Sequence, residues 1–199
     1  AEVRHNVVAL LLAGHDSPSV ALTYIWYVLA DHPEVCASLR DEYDEVVDGE
    51  RPDSESYDEL TRTRNVVAEA LRMYPPTLGV SRQTAEPVTL GEYKLHEGAQ
   101  LLLPQRVVHR DERFWDNPET FDPCRWKNGA DRPEYAYFPF SGGPRNCVGT
   151  HFARQELTMV LATMIGRIEL DVSVDGSLRF TPSIQLRPDT DITATVSRQ

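Results

Sequence analysis

The stretch Phe140-Ser141-Gly142-Gly143-Pro144-Arg145-Asn146-Cys147-Val148-Gly149 sets a cysteine at the end of a loop rich in glycine and proline. A helical pattern follows at once, with Phe152, Leu157, Val160, Leu161, Met164 and Ile165 at its apolar positions. A thiol in that place meets the positive end of a helix dipole, and Arg145 lies just upstream. Both favour thiolate over thiol. Glycines let the backbone pass close to something flat or bulky. A lone thiolate in a dry pocket beside a flat surface is what an axial haem ligand requires. On the cysteine alone, a buried structural thiol is the commoner state. The rest of the pattern has to decide.

Three further groupings could carry chemistry. Ala13-Gly14-His15-Asp16-Ser17 places an acid beside a hydroxyl, and Pro18 follows directly. Such a pair can bind water and pass protons, or it can merely cap a kink. Glu69-x-x-Arg72 puts a carboxylate and a guanidinium on one helix face, a pairing found in most helices. Arginines suited to bidentate carboxylate recognition stand at Arg145 and Arg82. His109 and Arg113 are weaker candidates, read as structural or loop-bracing groups.

Taken in order, these stretches resemble the motifs of the cytochrome P-450 superfamily. Phe140-x-x-Gly143-x-Arg145-x-Cys147-x-Gly149 is similar to its haem-binding loop, with no gap and no missing position. Ala13-Gly14-His15-Asp16-Ser17 is similar to its oxygen-activation motif, Ala-Gly-x-acid-Thr. Ser17 keeps the hydroxyl of the usual threonine but loses the methyl that restricts the rotamer, which implies looser proton delivery and more peroxide leakage. Glu69-x-x-Arg72 followed by Met73-Tyr74-Pro75-Pro76 resembles the K-helix motif. Arg125, in Phe121-x-Pro123-x-Arg125-Trp126, takes the third place of the buried charge network that the family adds to it. Cys124 departs from the acid usual there. Gly149-x-x-Phe152-Ala153-x-x-Glu156 resembles the start of the helix after the ligand.

The resemblance implies a mainly α fold with a small β-sheet, the C-terminal half of the cytochrome P-450 fold. Residues 1–199 are then a single C-terminal haem-binding portion, without the N-terminal half that covers the other haem face. It implies haem b, iron protoporphyrin IX, with Cys147 as the metal ligand. Phe140 shields the sulfur, Gly149 permits close approach, and Arg82 and Arg145 bind the propionates. Asp16 and Ser17 are the catalytic groups that manage protons. Glu69, Arg72 and Arg125 form the structural network that pins the segment leading to the loop. The implied activity is a monooxygenase that inserts one atom of O2 into a lipophilic organic substrate. Its electrons come from a ferredoxin or a flavin reductase. The alternatives are a haem-thiolate enzyme that uses peroxide directly or catalyses an isomerisation, and a truncated fragment with no activity of its own.

The elements that must position these residues follow from periodicity. Residues 4–30 read as a helix apolar on much of its circumference, hence buried, with a bulge or kink at Gly14 to Pro18. A second helix opens at Pro33 and runs to about Val47, followed by a polar loop from Asp48 to Ser56. A third spans Tyr57 to Tyr74 and stops at Pro75-Pro76. Short strands are expected at 80–83, 88–90, 93–96 and 100–103. Residues 104–137 read as a long irregular segment, and such a segment is usually functional or pinned. The closing helix covers 148–167, and Asp175-Gly176 signals a hairpin after it. Substrate contacts are expected near Ala13, at Thr77 to Val80 and at a hairpin tip around Ser183-Ile184.

A net charge of −11 argues against nucleic acid or an anionic membrane as partner. Lys94 and Lys127 are the lysines among 20 basic residues, a balance that fits a halophilic source or an Arg-rich proteome. The three cysteines, Cys36, Cys124 and Cys147, show neither zinc-site spacing nor a disulfide framework. A reducing, cytoplasmic setting is expected, leaving open an anchor on a preceding segment. No apolar run reaches membrane-spanning length.

Overall fold

The computed structural model describes residues 2–47, 51–127, 132–181 and 185–198. Asp48 to Glu50 of the polar loop and the tip Ser183-Ile184 lie outside the described residues. Helix α1 (Glu2–Ala30) continues through Pro18 as α-helix, so the Gly14 to Pro18 stretch does not end it, in keeping with an apolar pattern that resumes beyond it. An interior proline costs about 3 kcal/mol. The burial of Val20, Ala21, Tyr24, Ile25, Val28 and Leu29 beyond it outweighs that cost. The Ser19 hydroxyl donates to the Asp16 carbonyl at 2.8 Å, next to the gap in the ladder. Burial of α1 is confined to this second half. Val7, Val8, Leu10, Leu11 and Leu12 are exposed, although the sequence pattern predicts burial along its length.

Helix α2 (Pro33–Val46) starts on its proline, whose missing N–H is no loss at a first turn. The single helix expected over 57–74 is two: a turn, α3 (Ser56–Glu59), and α4 (Thr61–Met73). They part at Leu60, whose ψ of 56° is outside helical range. The reason is tertiary. Glu42 of α2 accepts from the Arg62 N–H at 2.5 Å, the Thr63 N–H at 2.8 Å and the Thr63 hydroxyl at 2.7 Å. A carboxylate from another helix thus satisfies N–H groups that a helix start leaves unpaired. Glu42→Ala is expected to lower stability by about 2 kcal/mol, measured by urea unfolding. A loss below about 0.5 kcal/mol would contradict the capping role.

Strand β1 (Val80–Gln83) pairs antiparallel with β4 (Gln100–Leu103), Arg82 opposite Leu101, while β2 (Val88–Leu90) pairs with β3 (Tyr93–Leu95). The segment expected to be irregular contains one helical turn, α5 (Gln105–Val108), and 3-10 turns at Pro123–Trp126 and Glu134–Ala136. Helix α6 (Thr150–Ile165) follows the cysteine loop. Strand β5 (Ile168–Val174) then pairs with β8 (Ile192–Arg198), not with a strand just past Asp175-Gly176. Leu170, Val172 and Val174 meet Val196, Ala194 and Ile192, and that ladder of seven pairs overrides the local turn signal. Between them, β6 (Phe180–Thr181) pairs with β7 (Arg187–Pro188).

The fold is therefore mainly α with small two-stranded antiparallel sheets. Ile25, Leu29, Leu39, Val66, Leu71, Leu157, Leu161 and Ile165 form one core shared by α1, α2, α4 and α6. This packing fixes the start of α6, and with it the loop that precedes it. Among the described residues no helix is long and apolar enough to cross a membrane.

Candidate functional site

The cysteine loop is held from just before its start. Two side chains one turn apart, Gln105 on α5 and His109 at its C-cap, grip the backbone of Phe138. The Gln105 amide nitrogen donates to the Phe138 carbonyl at 2.6 Å, and the Phe138 N–H donates to His109 Nε2 at 2.9 Å. The Ser141 N–H returns to the Phe138 carbonyl at 3.0 Å, closing a turn in which Ser141 has φ +67°. Gly142 lies so close to the Tyr135 ring that a Cβ would sit 2.5 Å from it, and Gly143 has φ +70°, where a side chain is strained. The Cys147 N–H donates to the Phe140 carbonyl at 2.8 Å, and the Thr150 hydroxyl donates to the Cys147 carbonyl at 2.7 Å. The backbone of Cys147 is thus fixed on both sides.

The sulfur is not. Cys147 is exposed and its thiol has no hydrogen-bond partner among the described residues. Beside it, Val148 is 86% and Phe152 68% exposed. A free soft donor flanked by bare apolar side chains suits a flat apolar group with a thiolate-binding metal at its centre. Phe140 is half-buried, packed against the core with the Arg154 guanidinium 5.3 Å from its ring centre. Gly149 is the residue before α6, and a Cβ there would lie 3.9 Å from the sulfur. Arg82 reaches across from β1 to the Ser141 hydroxyl at 3.0 Å. Arg145 is exposed, with no bond or ion pair to any described residue.

Beneath the loop lies a buried charge network. Glu69 and Arg72 are fully buried and meet through two bonds, 3.0 and 2.8 Å. All five N–H donors of Arg72 are used. The other three go to the carbonyls of His109 at 2.9 Å, Pro118 at 2.8 Å and Thr120 at 3.2 Å. Glu69 also accepts from Arg125 Nε at 2.8 Å, the Asp122 N–H at 3.0 Å and Trp126 Nε1 at 3.0 Å. Three more Arg125 donors go to the carbonyls of Asp116, Asn117 and Thr120. One carboxylate and two guanidiniums therefore hold the backbone from 109 to 122. The Trp115 ring closes the network, with the Arg72 guanidinium 5.1 Å and that of Arg132 4.2 Å from its centre.

His109 is the link from network to loop. Its carbonyl binds Arg72 and its Nε2 accepts from Phe138, so the ring is neutral with its proton on Nδ1. That nitrogen is buried without a hydrogen-bond partner. Burial pushes the His109 pKa down to about 4, against mild opposition from the Arg72 and Leu71 backbone.

Asp16 and Ser17 sit apart from this assembly, on α1. Asp16 pairs with Arg187 of β7 at 2.6 Å, and Arg187 Nε donates to the Gln185 amide oxygen at 3.2 Å. The Gln185 nitrogen reaches the Ser17 hydroxyl at 3.5 Å. Acid and hydroxyl are thus tied into one ring by the C-terminal segment. Gln105, Gln185, Arg132 and Arg187 have no signal in the sequence. Their partners lie far along the chain, and only the helical spacing of Gln105 to His109 hints that the two act together.

The chain belongs to the Cytochrome P450 family, whose sequence profile matches residues 1–191. It is 38% identical over 171 residues to "Cytochrome P450 4A6" of Oryctolagus cuniculus, covering 85% of this chain and 34% of that one. It is 35% identical over 187 residues to "Cyclooctatin synthase" of Streptomyces melanosporofaciens, covering 93% and 41%. "Pentalenene oxygenase" of Streptomyces avermitilis is 36% identical over 182 residues, covering 89% and 40%. The chain spans 34% to 41% of the length of these relatives.

Proposed function

We propose that the chain is the C-terminal, haem-binding portion of a monooxygenase that inserts one atom of O2 into a lipophilic organic substrate. The overall reaction takes substrate, O2, two electrons and two protons to hydroxylated substrate and water. The electrons come from a ferredoxin or a flavin reductase. The observation that carries the reading is the Cys147 thiol, without a partner among the described residues and exposed on a backbone bonded at both ends, with Val148 and Phe152 bare beside it. The names of two relatives, an oxygenase and a synthase of Streptomyces, are consistent with an organic substrate.

Cys147 would hold haem b by its thiolate. Arg145 would meet a haem carboxylate with donors that no described residue occupies, and Arg82 would do so by leaving or sharing Ser141. Phe140 screens one side of the sulfur, and the absence of a side chain at Gly149 keeps the approach open. When bound, the haem supplies the activation of O2, with the thiolate favouring O–O cleavage. Asp16 and Ser17 handle protons. Asp16 is half-exposed and held by Arg187, so it can exchange protons with solvent beside Ser17, whose hydroxyl is reached from the same ring through Gln185.

The test is the spectrum of the reduced, CO-bound protein after haem loading. A thiolate-type Soret band is expected for the wild type and for Cys124→Ala, and its complete loss for Cys147→Ala. Retention of that band in Cys147→Ala would overturn the assignment. Oxygen uptake dependent on an electron donor separates the monooxygenase from an enzyme driven by peroxide.

A further inference from the structure

Gln105 is a glutamine with 1% of its surface exposed, and both ends of its amide are engaged. Its nitrogen holds the Phe138 carbonyl, as above. Its oxygen accepts from the hydroxyl of Thr77. Thr77 stands in the turn after Pro75-Pro76 and forms a β-bridge with Gln185. The next residue, Leu186, donates its N–H to the Pro76 carbonyl at 2.8 Å and accepts from the Tyr24 hydroxyl of α1. Gln185 in turn reaches Ser17 and Arg187.

Two assemblies meet at this one amide. On one side is the ring of Asp16, Ser17, Gln185 and Arg187, locked to the Thr77 turn. On the other is the turn from Phe138 to Ser141, whose Phe140 carbonyl receives the Cys147 N–H. An amide has one donor end and one acceptor end, so it cannot be reversed here. The Phe138 carbonyl can only accept, so it takes the amide nitrogen, and the amide oxygen is left to accept from the Thr77 hydroxyl. A movement of Thr77 must therefore move the Gln105 amide or break a buried bond, and a buried polar group left unpaired is costly.

We infer that Gln105 is a positioning residue that couples the Thr77 turn to the Cys147 loop, so that displacement of the turn changes how firmly Cys147 is held. The importance of Cys147 rests on the proposed function; the coupling itself does not.

The test is amide hydrogen exchange at Ser141 and Cys147 in the purified protein. Gln105→Leu and Thr77→Val are each expected to speed exchange at both amides by about tenfold. The double variant should exchange no faster than Gln105→Leu, and Thr77→Ser should match the wild type. In the haem-loaded proteins the fraction of thiolate-type Soret absorbance should fall in the same order. Unchanged exchange at Ser141 and Cys147 in Thr77→Val would overturn the coupling. So would multiplying effects, about a hundredfold in the double variant, because they mark two independent props. Should Gln105→Leu not fold, the half-buried Thr77→Val decides by itself, with Thr77→Ser as its rescue. If the wild type binds no haem, the proposed function fails while the exchange result still stands or falls alone.

Discussion

Glu69→Gln is expected to destabilise the protein by about 3–5 kcal/mol, the cost of leaving buried charge uncompensated. The carboxylate accepts five hydrogen bonds, from Arg72, Arg125, Asp122 and Trp126. The substituted amide offers one acceptor oxygen and places two donors against the remaining guanidinium and indole N–H groups. Arg72 and Arg125 would then lie close together with no anion between them. Arg72→Lys should lose nearly as much. An ammonium has three donors and no planar fork, whereas Arg72 uses five N–H groups on two carboxylate oxygens and three carbonyls. Urea unfolding of the two variants measures both. A loss below about 1 kcal/mol for Glu69→Gln would mean that the network is not held as an ion cluster.

Acid sensitivity is the second large effect, and it traces to His109. Its pKa in the folded chain is about 4, below the ordinary 6.5. Between those values the unfolded chain binds a proton that the folded chain refuses, so stability falls as pH drops from about 6.5 to about 4. Below about pH 4 this group adds nothing further, and above about 6.5 its effect is absent. The depression corresponds to about 3 kcal/mol lost across the window. Carboxylates titrate nearby, so the measurement is a difference. Urea unfolding at pH 7 and pH 4.5 should show a steeper loss for the wild type than for His109→Gln, which keeps an acceptor for the Phe138 N–H. Equal losses would remove His109 as the cause. Protonation would also put a hydrogen on Nε2, facing the Phe138 N–H, so the cysteine loop should loosen before the core does.

What the sequence disclosed, and what it hid, follows the distance between partners. The cysteine loop and the Glu69–Arg72 pair are short-range patterns, visible in their own residues, but their roles come from the resemblance and the order of the motifs. Arg125 could be placed only through the resemblance, because it lies 56 residues from the carboxylate it meets. The break at Leu60 was hidden, since the cap on α4 comes from Glu42 on another helix. The turn signal at Asp175-Gly176 misled, since a local propensity lost to the β5–β8 ladder. The burial expected along all of α1 follows from its composition, yet composition does not say which half finds neighbours. His109 was visible as a residue but not as a link. Its function comes from two bonds, to Arg72 and to Phe138, that cross 37 and 29 positions.

The cap that Glu42 places on α4 also bears on the order in which the chain assembles. Glu42 and Thr63 are 21 residues apart, whereas Glu69 and Arg125 are 56 apart. Closing the longer loop costs about 0.9 kcal/mol more chain entropy. Contacts of short sequence separation form sooner, so α2 and α4 should dock early and present Glu69 and Arg72 on a finished helix. The backbone from 109 to 122 then has a ready surface on which to settle. On that route, loss of the Glu42 cap slows folding, whereas loss of Arg125 chiefly speeds unfolding.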